Sequence, residues 1–320
     1  SLATVTVVAA SIATVSRTTS TDEPQRGSFT QAEVRRRFHE IPKRITREMF
    51  PPKGSFIVGF GLHDSRTGQF VPPDSDAFVD SVSVKPLEDI GCGCCTNEVD
   101  CSTFGWNDLR LISMLSDLKH VSISSTHVTD DCPLLLRKQD QLESLDLSAN
   151  SLLTDPVLDR VCQLKSLRVL NLADTALTGK GLSKLRSLPR LEQLILAGTQ
   201  FTDLNLRELN SLPQIKELDV SRTRITGEGF QRLRSLPRLE VLNLDASRVT
   251  SEGLAKLPVL PALRVLSLQQ TPLTDQHIDV LGQCLRLEEL RVNNTRLGDA
   301  FMESLASLNE LHTLNAVSTS

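Results

Sequence analysis

The chain has 320 residues, enough for one large domain or two ordinary ones, and at 39% hydrophobic residues it is not a wholly disordered protein. Thirty-five Lys and Arg against 39 Asp and Glu leave a formal charge of −4, which removes the global electrostatic case for a nucleic-acid binder, and with no Tyr and one Trp there is little to stack on bases. Seven cysteines, an odd number, leave the redox compartment undecided by counting.

The chain opens on Ser1 rather than Met, with LATVTVVAASIATV at residues 2–15 carrying no charge. A bilayer crossing takes about 20 apolar residues, so this run is too short to span by itself. Residues 1–16 are expected to be the tail of a membrane anchor or the apolar part of a secretion signal, or else, from their Thr and Val, a buried strand. Residues 17–53 read as a polar linker followed by a basic amphipathic stretch: residues 31–53 hold seven Lys and Arg against three Glu, with Val34, Phe38 and Ile41 at helical spacing before Pro42. Such a stretch suits anionic headgroups if an anchor precedes it, and equally a solvated helix packed on the body of the protein.

Residues 54–117 read as an irregular cap. GSFIVGFGLHDSRTGQFV predicts two strands around a turn, Val79, Val82 and Val84 follow a strand beat, and Leu109, Ile112 and Leu115 follow a helical one. An insertion in this cap carries Cys92, Cys94, Cys95 and Cys101. Disulfides, free thiols and a metal site all remain open there, although the separated C-x-x-C pair usual for zinc is missing.

From Leu118 to residue 320 the sequence repeats. On the motif L-x-x-L-x-L-x-x-[T/N/S]-x-L-T, copies begin at Leu118, Leu142, Leu167, Leu191, Ile215, Leu239, Leu263, Leu287 and Leu311, at steps of 24 residues with one of 25. The extra residue falls between Asn150 and Thr154 and predicts a small bulge. L-x-x-L-x-L has the period-two ending of a strand buried on one face; Leu254, Leu257 and Leu260 then follow a longer period that suits a short helix. Pro189, Pro213, Pro237 and Pro261 share the slot after the last helical leucine and turn the chain back. Thr, Asn or Ser fills the ninth slot, as in Thr175 and Thr199, where small side chains can bond turn backbone. Cys284 stands at a core beat and reads as a small hydrophobe. The ninth copy stops at residue 320 before any helix, which predicts that the natural chain continues.

The second slot carries Lys119, Glu143, Arg168, Glu192, Lys216, Glu240, Arg264 and Glu288, then His312. Equivalent positions on neighbouring strands lie about 4.8 Å apart, so alternating signs form a charge ladder where like signs would repel. It is expected to be structural, penalising a slipped stack, each pair contributing about 0.2–1 kcal/mol. No Ser/His/Asp, HExxH or Walker arrangement is present, so no catalytic residue, metal ligand or cofactor is assigned.

The wording LRVLNLADTALTGKGLSKL and IKELDVSRTRITGEGFQRL resembles the bacterial leucine-rich-repeat proteins with 24-residue repeats, and is similar to the arrays of ribonuclease inhibitor and of F-box adaptors. F-box arrays usually have Cys where this chain has Thr or Asn, and no F-box is recognisable. The resemblance implies an α/β right-handed solenoid, with a parallel sheet on the concave face and short helices on the convex face, behind an irregular N-terminal cap. It implies binding of an unnamed partner, and its single-span bacterial members imply membrane tethering or export, with a cytoplasmic place left open.

The expected function is a non-enzymatic protein-binding module. Slots three, five, seven and eight face outward on the sheet, and the densest polar group there is Glu217, Asp219, Arg222, Asn243, Asp245, Gln269 and Gln270, with Arg291 and Asn293 alongside. Acidic residues dominate, so the partner is expected to present a basic patch. Two alternatives stand beside this reading: a metal or thiol enzyme site in the cysteine-rich cap, or an F-box-like adaptor of a ubiquitin ligase.

Overall fold

The computed structural model describes residues 118–317 apart from 126, 127 and 235, together with short strands at 62–63, 70–71 and 81–84. The expectations for residues 1–53 and for Cys92, Cys94, Cys95 and Cys101 lie outside the described residues. Contacts divide the chain into two compact units, Ser1–Asp146 and Leu147–Ser320. In the first, β1 (Leu62–His63) pairs antiparallel with both β2 (Phe70–Val71) and β3 (Ser81–Val84). Strand β3 then runs parallel to β4 (His120–Ile123), and β4 parallel to β5 (Ser144–Asp146).

The second unit stacks seven copies of one strand. β6 (Val169–Asn171), β7 (Gln193–Ile195), β8 (Glu217–Asp219), β9 (Val241–Asn243), β10 (Val265–Ser267), β11 (Glu289–Arg291) and β12 (Thr313–Asn315) lie parallel in chain order. Their register places Leu170, Leu194, Leu218, Leu242, Leu266, Leu290 and Leu314 in one row. Within the copy that starts at Leu167, the leucines at 167, 170, 172, 177, 182, 185 and 188 are all fully buried. At about 1.5–3 kcal/mol for each buried side chain, such layers supply the driving force, and no copy has it without neighbours to close the layer. The extra residue of the longer copy is absorbed where expected: Asn150 and Leu153 are buried while Leu152 between them is 52% exposed.

The short helices expected opposite the strands are 3₁₀ rather than α in most copies among the described residues. Leu182–Ser187, Leu206–Ser211, Phe230–Arg232 and Ile278–Gln283 are 3₁₀ turns, and α-helix forms only at Val157–Val161, Ser251–Leu254 and Asp299–Ser304 among the described residues. Leu182, Leu185 and Leu188 recur every third residue, the period at which 3₁₀ side chains eclipse, but Leu254, Leu257 and Leu260 share that spacing beside α-helical Ser251–Leu254, so the spacing admits either turn.

The ninth slot closes the turn after each strand. Thr175, Thr199, Thr223, Thr271 and Thr295 each donate from Oγ1 to the carbonyl three residues back, at 2.5–2.8 Å, and Asn150 does so through Nδ2 at 2.9 Å. Ser247 is the exception: its buried hydroxyl has no partner among the described residues. Ser247→Thr is expected to stabilise the array by about 1 kcal/mol, because the bulkier side chain is held in the rotamer that reaches the Leu244 carbonyl. An unchanged or lower urea midpoint would show that the copy cannot accept the extra methyl.

Charges in the second slot make contact along the array, but unevenly. Glu192 lies 3.6 Å from Arg168 and 3.3 Å from Lys216, and Arg264 lies 4.0 Å from Glu240 and 2.6 Å from Glu288, with His312 at 3.9 Å from Glu288. Arg264 grips Glu288 through both Nε and Nη2, and this hydrogen bonding holds the Glu288 carboxyl below its ordinary range. No ion pair joins Lys216 to Glu240 among the described residues, so the contacts fall into two groups.

A second set of links was not foreseen. Asp203 accepts hydrogen bonds from Thr226 N, Thr226 Oγ1, Gly227 N and Gly229 N of the next copy, at 2.8–3.1 Å. Asp155 holds Thr178 and Gly179 in the same way. Each acidic side chain thereby satisfies backbone N–H groups of its neighbour that would otherwise face the loop unpaired.

Candidate protein-binding surface

The outward slots of strands β7 to β11 are held by the rows of buried leucine beneath them. Because side chains alternate, Leu218 points into the core while Glu217 is exposed and Asp219 half-buried on the opposite face. Asn243 and Arg291 occupy the fifth slot of β9 and β11. Asp245, Gln269 and Asn293 follow in the seventh slot, just past the strands. Arg222 and Gln270 occupy the eighth, where every described copy turns left-handed: φ is +55° at both, and +51° to +56° at Ser125, Ala149, Asp174, Ala246 and Asn294.

Five of these residues form one hydrogen-bonded chain across the sheet. Asn243 donates to Asp219 at 3.1 Å, and the Asn243 side chain accepts from Asp245 N at 3.0 Å. Asp245 accepts from Ser267 Oγ at 2.6 Å, Gln269 N at 2.7 Å and Gln269 Nε2 at 2.9 Å. Gln269 in turn accepts from Asn293 at 2.6 Å, and Asn293 accepts from Val317 N at 2.7 Å. Asp219 also accepts from Ser221 N at 2.8 Å. Much of the hydrogen-bonding capacity of Asp219, Asn243, Asp245, Gln269 and Asn293 is therefore spent within the array.

Both arginines of the group are paired. Arg222 reaches across two copies to grip Asp174 at 2.7 and 2.9 Å. That bond, more than the field of Asp174 and Asp219, raises the guanidinium above its ordinary value. Between them lies Gly198, at φ +68°, where an added Cβ would meet Asp174 Oδ1 at 2.0 Å. Other residues tolerate the left-handed turn in this slot, so glycine is required here by the bridge passing over it. Arg291 pairs with Glu289 on its own strand at 2.7 Å, a bond that raises the arginine and lowers the glutamate. Glu217 and Gln270 have no side-chain hydrogen bond or ion pair among the described residues.

An open depression of about 150 Å³ lies over β7 to β10, where Ile195, Val241 and Val265 border Glu217 and Asp219. The three apolar residues are half-buried, and sequence reasoning passed over them because β-branched residues in a strand read as core. Their outward slots were the available signal. Liquid water occupies about 30 Å³ per molecule, so the depression has room for a side chain rather than a small-molecule substrate.

Among the described residues no group of three His, Cys, Asp or Glu is arranged to hold a metal ion, and no helix is long and apolar enough to cross a membrane. Cys132 and Cys284 are buried and free, and burial pushes their thiols up to about 12 and about 11, away from the thiolate that reacts.

Residues 163–185 match the family described as Leucine Rich repeat. No curated protein matches the chain by sequence. Among solved structures the chain is similar to internalin C2 of Listeria monocytogenes, with 26% identity, 60% of this chain and 78% of that one covered, and a TM-score of 0.44. It is similar to an internalin, InlF, of the same organism, with 19% identity, 64% and 69% covered, and a TM-score of 0.41. It is also similar to the protein of a TLR13–ssRNA13 complex, with 23% identity and a TM-score of 0.52 over 66% of this chain but only 30% of that one. The 24-residue period, the parallel strand stack and the matched repeat together make the chain a leucine-rich-repeat solenoid protein.

Proposed function

We propose that the array is a non-enzymatic protein-binding module whose strand face takes a partner over β7 to β10. The carrying observation is the depression that sets apolar Ile195, Val241 and Val265 beside Glu217, an exposed carboxylate with no partner among the described residues. A lysine or arginine fits both parts, laying its aliphatic stem on the valines and its charge against Glu217. Neighbouring side chains are locked by the hydrogen-bonded chain described above, so little ordering is lost on binding. The uncharged run at residues 2–15 and the basic stretch at 31–53 support a place at a membrane or beyond it.

Because Asp219 and Asp245 hold backbone N–H groups, reversing them would disturb the fold, and Glu217→Lys is the cleaner probe. Partners crosslinked to the chain in the membrane and secreted fractions of its native source are expected to fall about tenfold for Glu217→Lys, with an unchanged melting curve. The exposed Glu303→Lys, on the helix side, is expected to retain them. Equal recovery by Glu217→Lys and the parent chain would remove the strand face from consideration.

A further inference from the structure

Where the short helices return to the strands, eight residues recur unchanged two copies apart: LRSLPRLE at 185–192 and again at 233–240. The fold accounts for most of them. Leu185, Leu188, Leu191, Leu233, Leu236 and Leu239 are buried, the prolines end the helical turn, and Glu192 and Glu240 contact ladder cations. It does not account for Arg186, Arg190, Arg234 and Arg238. All four are exposed, and none has an ion pair or side-chain hydrogen bond among the described residues.

The copy between them carries amides at the matching positions. Asn210 donates to the Arg232 carbonyl and accepts from Arg234 N, both at 2.9 Å, while Gln214 donates to the Leu188 carbonyl at 3.1 Å. These bonds tie each amide into the turns that carry the arginines. Matching arginines therefore stand two copies apart with a neutral side chain between, and two rungs of the adjoining strands span about 10 Å at about 4.8 Å per rung. In the second slot the same array alternates its signs. On this flank it keeps four cations that neither the fold nor a counter-charge requires, on a chain whose net charge is −4.

We propose that this flank is a second interaction surface, taking an acidic helical segment of a partner protein whose carboxylates meet the four guanidiniums. Arginine forks match carboxylates in a bidentate geometry, and glutamates seven residues apart on a helix lie about 10.5 Å apart, close to the two-rung span of the adjoining strands. Nucleic acid matches the flank less well, because Phe201, Phe230 and Phe301 of the array are all buried and offer no ring for a base. This surface stands on residues separate from Glu217 and the strand-face depression.

The probe is a labelled Ala-rich helical peptide of about 20 residues with glutamates seven apart on one face, titrated by fluorescence anisotropy against the 320-residue chain. The peptide with glutamine in place of glutamate is the control. Binding is expected to need the glutamates and to weaken as salt rises from about 0.05 to 0.3 M. It should fall at least about tenfold in Arg186→Gln/Arg190→Gln/Arg234→Gln/Arg238→Gln, with circular dichroism confirming that the variant is folded. Glu217→Gln should leave it unchanged, which separates this surface from the strand face. Equal affinity of the quadruple variant and the parent would overturn the proposal. So would tighter binding of a single-stranded RNA, or of phosphatidylserine vesicles, lost with the same four arginines, since the flank would then belong to that polyanion.

Discussion

Gly253→Ala is expected to destabilise the array by about 2–3 kcal/mol, although alanine in a helix is ordinarily the better residue by about 1 kcal/mol. Gly253 lies in the turn Ser251–Leu254, where an added Cβ would stand 2.2 Å from the Thr226 carbonyl oxygen and 2.9 Å from the Gly227 Cα. Both obstacles are backbone of the preceding copy, so no rotamer change relieves the contact. Gly227 mirrors it: φ is +94°, and a Cβ there would meet Gly253 Cα and C at 2.7 Å. The two copies therefore approach glycine to glycine, and a methyl on either side forces them apart. Because a solenoid is stabilised by nearest-neighbour interfaces, opening one interior interface weakens both flanking stretches. Urea unfolding of parent and variant measures the difference. The helix-propensity term and the clash have opposite signs, so a variant as stable as the parent, or more so, would mean that the copies are not this close.

Asp203→Ala should cost about 2–3 kcal/mol, by removing the acceptor for three backbone N–H groups and one hydroxyl of the next copy. Water reaches a half-buried site and replaces part of what is lost, which keeps the estimate below the sum of four separate bonds. Asp203→Asn retains one oxygen, which can still accept from Gly227 and Gly229, but it turns an amino group toward Thr226. It should lose about half as much. The ordering alanine worse than asparagine worse than parent is the signature of the staple. If all three chains share one urea midpoint, the next copy closes its turn without Asp203.

Asp203 and Gly253 also show what could be read in advance. The repeat supplied the strand row, the buried leucines and the turn threonines, because each is a property of one copy restated every 24 residues. The strand face was legible as a face, since side chains alternate, and the slots of Glu217, Asp219, Asn243 and Asp245 followed by counting. What those side chains do there was not legible. Asp245 spends both oxygens on Ser267 and Gln269, and Arg222 is drawn to Asp174 past an intervening copy. Such pairings join residues 22 to 48 apart, and one slot fits several neighbours equally well on paper.

The amino-acid sequence by itself determined that this chain stacks parallel strands on a leucine core, because burial with a fixed period has one self-consistent solution when no copy can cover its own apolar face. It also determined the order of charges along the second slot. Only the tertiary structure decided which of those charges touch, that most copies return through 3₁₀ turns, that Gly198 is kept clear for a bridge, and that Glu217 and four arginines are left without partners among the described residues. Burial sums over many weak contacts and survives averaging, whereas each of these outcomes depends on one separation of a few ångströms between side chains of different copies, which a periodic pattern does not specify.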